Sequence, residues 1–124
     1  MAHRRAAQSY PPDQRLSAYR LMWLFVFFDL PTLSKTDRRE ATRFRVRLLK
    51  DGYTMMQWSV YVRHCASRES ADVHLARLHK MLPPKGHVSV AQFTDKQFGG
   101  IQNFWGIGQA AQPPPSPPPQ LELF

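Results

Sequence analysis

The stretch from Leu21 to Pro31, LMWLFVFFDLP, places the strongest constraint on the fold. Eight consecutive apolar residues with aromatic and β-branched members are typical of a strand that is buried on both faces. The run is too short for a membrane-spanning helix, which needs about 20 apolar residues. It ends at Asp29, a carboxylate that is costly to bury unless it is paired, hydrogen-bonded or bound to a metal. The sequence therefore predicts a buried strand that carries one acidic group at its carboxyl end, where Pro31 stops the backbone ladder.

The charge of the chain indicates a polyanionic partner. Of its 124 residues, 43% are hydrophobic, which is enough for one domain with its own core. The formal net charge is +8, and residues 22–108 alone hold thirteen Lys or Arg against seven Asp or Glu. An excess of this size favours nucleic acid or an acidic membrane surface as the partner. The single cysteine, Cys65, cannot form an intramolecular disulfide, and the pattern of a secretion signal is incomplete, so we expect a cytoplasmic protein without a membrane partner.

The patterns of the chain predict a ferredoxin-like α+β sandwich. Strand and helix patterns follow one another at about 22–29, 35–51, 53–63, 69–82, 87–94 and 101–105. The segment at 53–63 is one strand or two joined at a bend, so the order is βαββαβ with an extra C-terminal strand. Both helices are then expected to cover one face of the sheet.

The other face of the predicted sheet indicates a homodimer packed through the sheets. We expect this face to carry Trp23, Phe25, Phe27 and Tyr61. Such a surface is too apolar to leave in water, and a second copy stacked on it would bury it.

The first predicted helix carries a dense set of cations. Only three acids, Asp37, Glu40 and Asp51, accompany them, so contact with phosphates and a merely solvated face are about equally favoured. Six of these cations are predicted to contact nucleic acid: Arg38, Arg39, Arg43, Arg45, Arg47 and Lys50.

Three motifs resemble the CRISPR-associated protein Two family, the small subunit of the spacer-acquisition machinery. They are FVFFDLP, the stretch from Gly52 to Tyr61 and TDKQFGGIQNFWG, and the resemblance covers about residues 19–108. It is strongest to the branch found beside type II systems. The resemblance implies a ferredoxin-like homodimer, a Mg²⁺ site at Asp29, metal-dependent nuclease activity in some members and assembly with the integrase partner, protein One.

Outside that domain, which we take as 21–108, the two ends have compositions of their own. Residues 1–20 are expected to form a mobile basic arm. Residues 109–124 are expected to form a proline-rich stalk, whose PPPSPPP spacer reaches about 20 Å, and to end in a docking peptide, QLELF. Its apolar residues Leu121, Leu123 and Phe124 would contact the integrase, the dimer mate or a sliding clamp; a frayed terminus is the alternative.

The chemistry of the predicted site depends on dimerisation. No second acid is expected beside Asp29, so one chain cannot build a two-metal site, whereas a dimer can bring two copies of Asp29 together around a shared Mg²⁺. Ser59 and Tyr61, expected on the polar face of the second strand, could orient a water or a phosphate. No general base is evident, and each histidine is expected to be structural or solvated.

Two hypotheses from different classes follow. One is a Mg²⁺-dependent phosphodiesterase that cuts RNA or DNA through paired Asp29. The other, which we favour, is a structural adaptor: a basic dimer that holds duplex DNA against the first helix and scaffolds the integrase, with nuclease activity as a secondary property. A stand-alone endoribonuclease or toxin-like RNA-binding ferredoxin domain is the alternative.

Overall fold

The computed structural model describes residues 21–116, which form a four-stranded antiparallel sheet with two long helices and one short helix. In chain order the elements are β1 (Met22–Asp29), α1 (Lys35–Lys50), β2 (Thr54–Gln57), β3 (Val60–Cys65), α2 (Arg68–Lys80), β4 (His87–Thr94) and α3 (Asp95–Gly99). The strand order is β2-β3-β1-β4, so β1 lies between two partners. The predicted α+β ferredoxin-like class is confirmed.

The main core lies between the sheet and the two long helices. Alternate residues of β1 face this layer, because successive side chains of a strand point to opposite sides. They pack against Phe44 and Leu48 of α1 and Ala71 and Leu78 of α2. The contributing β1 residues are Met22, Leu24, Val26 and Phe28, all at most 5% exposed.

The opposite face of the sheet, called the outer face here, is largely covered by the chain itself. Phe98 of α3 stacks on Trp23, with 3.9 Å between ring centroids, and both are buried together with Phe25 and Val62. The prediction of a homodimer depends on the need for a second copy to cover Trp23 and Phe25. That argument is wrong, because the folded-back α3 already shields both residues. Phe27, at 39% exposure, is the apolar β1 residue of this face that stays accessible.

The segment at 53–63 forms two strands joined by a tight turn at Trp58 and Ser59. Tyr61 lies on the opposite face from the one predicted. Its ring is buried in the helix-side core, with 5.6 Å between its centroid and that of Phe28, whereas Val62 is buried on the outer face. Pairing with β1 sets these faces, because each residue lies on the same side as the β1 residue opposite it.

The predicted extra C-terminal strand is absent from the described part of the chain. The residues after β4 form α3, capped by Thr94, and 101–106 lie outside the sheet. The predicted arm at 1–20 and the docking residues Leu121, Leu123 and Phe124 lie outside the described residues.

Candidate nucleic-acid and metal site

Asp29 is the last residue of β1 and lies at the exposed end of the sheet. It follows Phe27 by two positions, so its carboxylate is on the outer face, away from α1 and α2. Among residues 21–116 the carboxylate has no hydrogen-bond or ion-pair partner. The strand thus presents an acidic group to solvent at the position predicted from sequence.

The start of β4 is packed closely against Asp29. Gly86 has a positive φ of 99°, and a Cβ placed on it would lie 2.7 Å from the Asp29 carbonyl oxygen. His87 is the register partner of Asp29 in the β1–β4 pair. Residues directly opposite in an antiparallel pair project to the same side, so His87 and Asp29 share the outer face. No local sequence pattern indicates this pairing, since its register depends on the loop before β4.

Of the two residues predicted to support Asp29, Ser59 lies near it and Tyr61 does not. Ser59 lies beside the end of β1, where its carbonyl accepts a hydrogen bond of 3.0 Å from the Phe28 amide. Tyr61 is 2% exposed on the opposite face from Asp29 and cannot orient a water there. The predicted supporting role of Tyr61 is therefore wrong, and Ser59 is near Asp29 through its backbone.

The cations of α1 divide into two groups. Two are held by backbone carbonyls: Arg38 donates to the Thr32 and Leu33 oxygens, and Arg45 donates to the Trp58 oxygen. The other five, Lys35, Arg39, Arg43, Arg47 and Lys50, are exposed.

The N-terminal half of α1 forms a shallow depression lined by cations. Arg43 is 3.7 Å from Glu40, a pair too exposed to neutralise it strongly. Lys35, which the sequence analysis did not select, also contributes to this depression. The lining residues are Lys35, Arg38, Arg39, Thr42 and Arg43.

Trp58 is an exposed aromatic residue at the same end of the sheet as Asp29. It is 68% exposed in the β2–β3 turn. The guanidinium of Arg45 lies over its ring, with Cζ 3.9 Å from the ring centroid.

A family model described as CRISPR associated protein Cas2 matches residues 22–101. The chain belongs to the Cas2 family. The resemblance stated from the sequence is thereby confirmed.

Curated relatives in the Cas2 family match most of the chain. A protein of Flavobacterium psychrophilum is 49% identical over 89% of this chain and 94% of its own length. A protein of Parvibaculum lavamentivorans is 48% identical over 83% of this chain and all of its own length. Both are called CRISPR-associated endoribonuclease Cas2. A solved structure described as the crystal structure of cas2 is 19% identical, with a TM-score of 0.49 over 77% of this chain and 97% of that one.

The metal that Cas2 membership implies finds only part of a site in one chain. Within residues 21–116, no three His, Cys, Asp or Glu side chains come together in a way that could hold a metal ion. Asp29 supplies a single exposed carboxylate. Mg²⁺ is commonly held by one or two protein carboxylates plus waters, so Asp29 could supply one such ligand.

The other titratable side chains lie away from Asp29. His64, the nearest base candidate by sequence, pairs with Trp23 at the opposite end of β1, and burial lowers its pKa. Burial also lowers the pKa of His74, which lies 3.6 Å from Asp51, and raises the pKa of the Cys65 thiol. These groups are structural, and a buried thiol of raised pKa is a poor nucleophile.

No helix within residues 21–116 is long and apolar enough to span a membrane.

Proposed function

We propose that this chain is the small subunit of a CRISPR spacer-acquisition system, a basic homodimer that binds duplex DNA and scaffolds an integrase. The carrying observation is the exposed basic face of α1, which lies in the same molecule as an unpartnered Asp29. Phosphate contacts supply most of the sequence-independent affinity of a protein for DNA, and exposed arginines are suited to them.

We further propose Mg²⁺-dependent cleavage of RNA or DNA through Asp29 as a secondary activity. The relatives called endoribonucleases support this, and so does the exposure of Asp29 at the end of β1. Asp29 would supply a ligand to Mg²⁺, which would provide Lewis-acid activation of a phosphate and of the attacking water. The cations of α1 would contact phosphates elsewhere along the nucleic acid.

Scaffolding is the preferred role because the cleavage machinery of one chain is sparse. Tyr61, expected to assist, is buried, and His64 is at the wrong end of β1. Only His87 lies across from Asp29. The cations of α1 that would contact DNA, in contrast, are already exposed on a single chain.

Asp29→Asn is the variant that tests this proposal, with Asp72→Asn on α2 as a matched exposed control. The purified protein is assayed for Mg²⁺-dependent cleavage of RNA and DNA, for duplex binding, and for spacer integration with the integrase present. We expect Asp29→Asn to lose cleavage and keep duplex binding and integration. Loss of integration with intact duplex binding would show that the acidic site belongs to the acquisition mechanism. If the wild-type protein neither bound duplex nor supported integration, the scaffold proposal would be wrong.

A further inference from the structure

Trp58 is large, apolar and mostly exposed, and yet it is held in one orientation. Arg45 covers its ring at 3.9 Å and donates from Nε to its backbone oxygen at 3.3 Å. Arg45 is in turn fixed over the Phe28 ring, 5.3 Å from the centroid. The guanidinium therefore occupies one face of the indole, and the 68% exposure of Trp58 leaves the other face to solvent.

The surroundings of this ring are cationic. Arg45 belongs to α1, whose N-terminal half carries the cation-lined depression. The turn that holds Trp58 is hydrogen-bonded to the end of β1, one residue before Asp29. A ligand that crossed the turn would meet an aromatic surface and positive charge together. Nucleic acid has this combination of flat bases and anionic backbone.

We propose that the Trp58–Arg45 pair is a stacking platform for an unpaired nucleobase. The inference rests on the proposed nucleic-acid function and narrows it to ligands with single-stranded or unpaired nucleotides. Inside a duplex both faces of each base are already stacked, so a base can lie flat on Trp58 only where it is unpaired or terminal. Phosphates next to that base would then reach the cations of α1.

The test compares, by fluorescence anisotropy, a short single strand with a duplex of the same length whose end base pairs are capped so that no terminal base face is open. Stacking on an aromatic residue contributes enough that we expect Trp58→Ala to weaken single-strand binding by about 5- to 100-fold. Duplex affinity should change by less than about 2-fold, and Trp58→Phe should keep part of the single-strand affinity. Phe104→Ala, which removes another exposed aromatic ring, is the matched control and should leave both affinities unchanged.

A spectroscopic readout separates stacking from a change in the fold. Indole emission should be quenched when wild-type protein binds the single strand, and Trp58→Phe should lose most of that quenching. Unchanged single-strand affinity in folded Trp58→Ala, or an equal loss for strand and duplex, would overturn the platform. The platform would also be overturned if Trp58→Ala weakened only association with protein, because Trp58 would then be a protein contact.

Failure of this inference is distinguishable from failure of the proposed function. If wild-type protein binds duplex but no single strand, the platform is wrong and the scaffold proposal stands. If Trp58→Ala weakens single-strand binding while integration is absent, the platform stands and the scaffold proposal is wrong.

Discussion

Gly86 controls how closely the start of β4 approaches Asp29. A Cβ here would lie 2.7 Å from the Asp29 carbonyl oxygen and 2.7 Å from Leu30 Cδ2, and the φ of 99° is unfavourable for any other residue. The carbonyl is backbone and cannot rotate away, so relief requires movement of β1 or of the loop before β4. The position of the acidic group thus depends on a residue that has no side chain.

We expect Gly86→Ala to lower the free energy of unfolding by about 1–3 kcal/mol, through steric conflict added to backbone strain. Urea denaturation measures the change. Gly108→Ala is the matched control, because Gly108 has a φ of 91° and nothing within 4 Å of an added Cβ. An equal cost for both substitutions would show that the approach to Asp29 does not matter.

At the scale of elements, the sequence predicted what local patterns determine. The apolar run at 22–29 and the helix pattern at 35–51 placed β1 and α1 correctly, since burial and helical periodicity act within a few residues. The faces of Tyr61 and Val62 follow from their pairing with β1, which the alternation within 53–63 does not reveal. The shielding of Trp23 by Phe98 could not be foreseen, because it depends on where α3 folds back.

For the candidate site, likewise, the sequence predicted the location of Asp29 but not the residues that surround it. The location of Asp29 follows from its position after the apolar run. That His87 lies opposite it depends on long-range pairing, and that Arg38 and Arg45 bind carbonyls depends on neighbouring loops. Composition alone could not divide the cations of α1 into bound and exposed sets.

That division predicts which arginines of α1 bind phosphate. Arg39 and Arg43 are exposed and line the same depression, so replacing both with Gln should weaken duplex binding. The slope of log affinity against log salt should become shallower by about 1.8 for each chain that contacts the duplex, and so by about 3.6 when both chains of a dimer do, at roughly 0.9 for each lost phosphate contact. Binding measured at several salt concentrations gives the slope.

The control variant for this prediction has the same net charge as the α1 double variant. Arg68→Gln with Lys80→Gln removes two exposed cations from α2, and its salt slope should stay within error of the wild-type value. If the α2 pair reduced the slope as much as the α1 pair, DNA binding would reflect overall charge and not the face of α1.

At the scale of the whole molecule, the proposed Mg²⁺ site would be shared between two copies of the chain. One chain exposes a single site carboxylate and keeps Phe27 accessible on the same face, beside Asp29. A second copy that packed on Phe27 about a two-fold axis near Asp29 would bring the two Asp29 carboxylates close to each other. Two carboxylates in proximity repel, and a divalent cation between them removes that cost. Dimerisation and Mg²⁺ binding are therefore expected to be coupled.

Sedimentation velocity over a range of protein concentrations, with Mg²⁺ or with EDTA, tests this coupling. For wild-type protein in Mg²⁺ at about 100 times the Mg²⁺ dissociation constant, we expect the dimer dissociation constant to fall by about 100-fold, because the ion binds only the dimer. Asp29→Asn keeps the side-chain volume and removes the repulsion, so its dimer should be at least as tight in EDTA and should not respond to Mg²⁺. Asp72→Asn should respond as the wild type does. An equal Mg²⁺ response in Asp29→Asn would place the ion elsewhere, and no response in the wild type would separate metal binding from dimerisation.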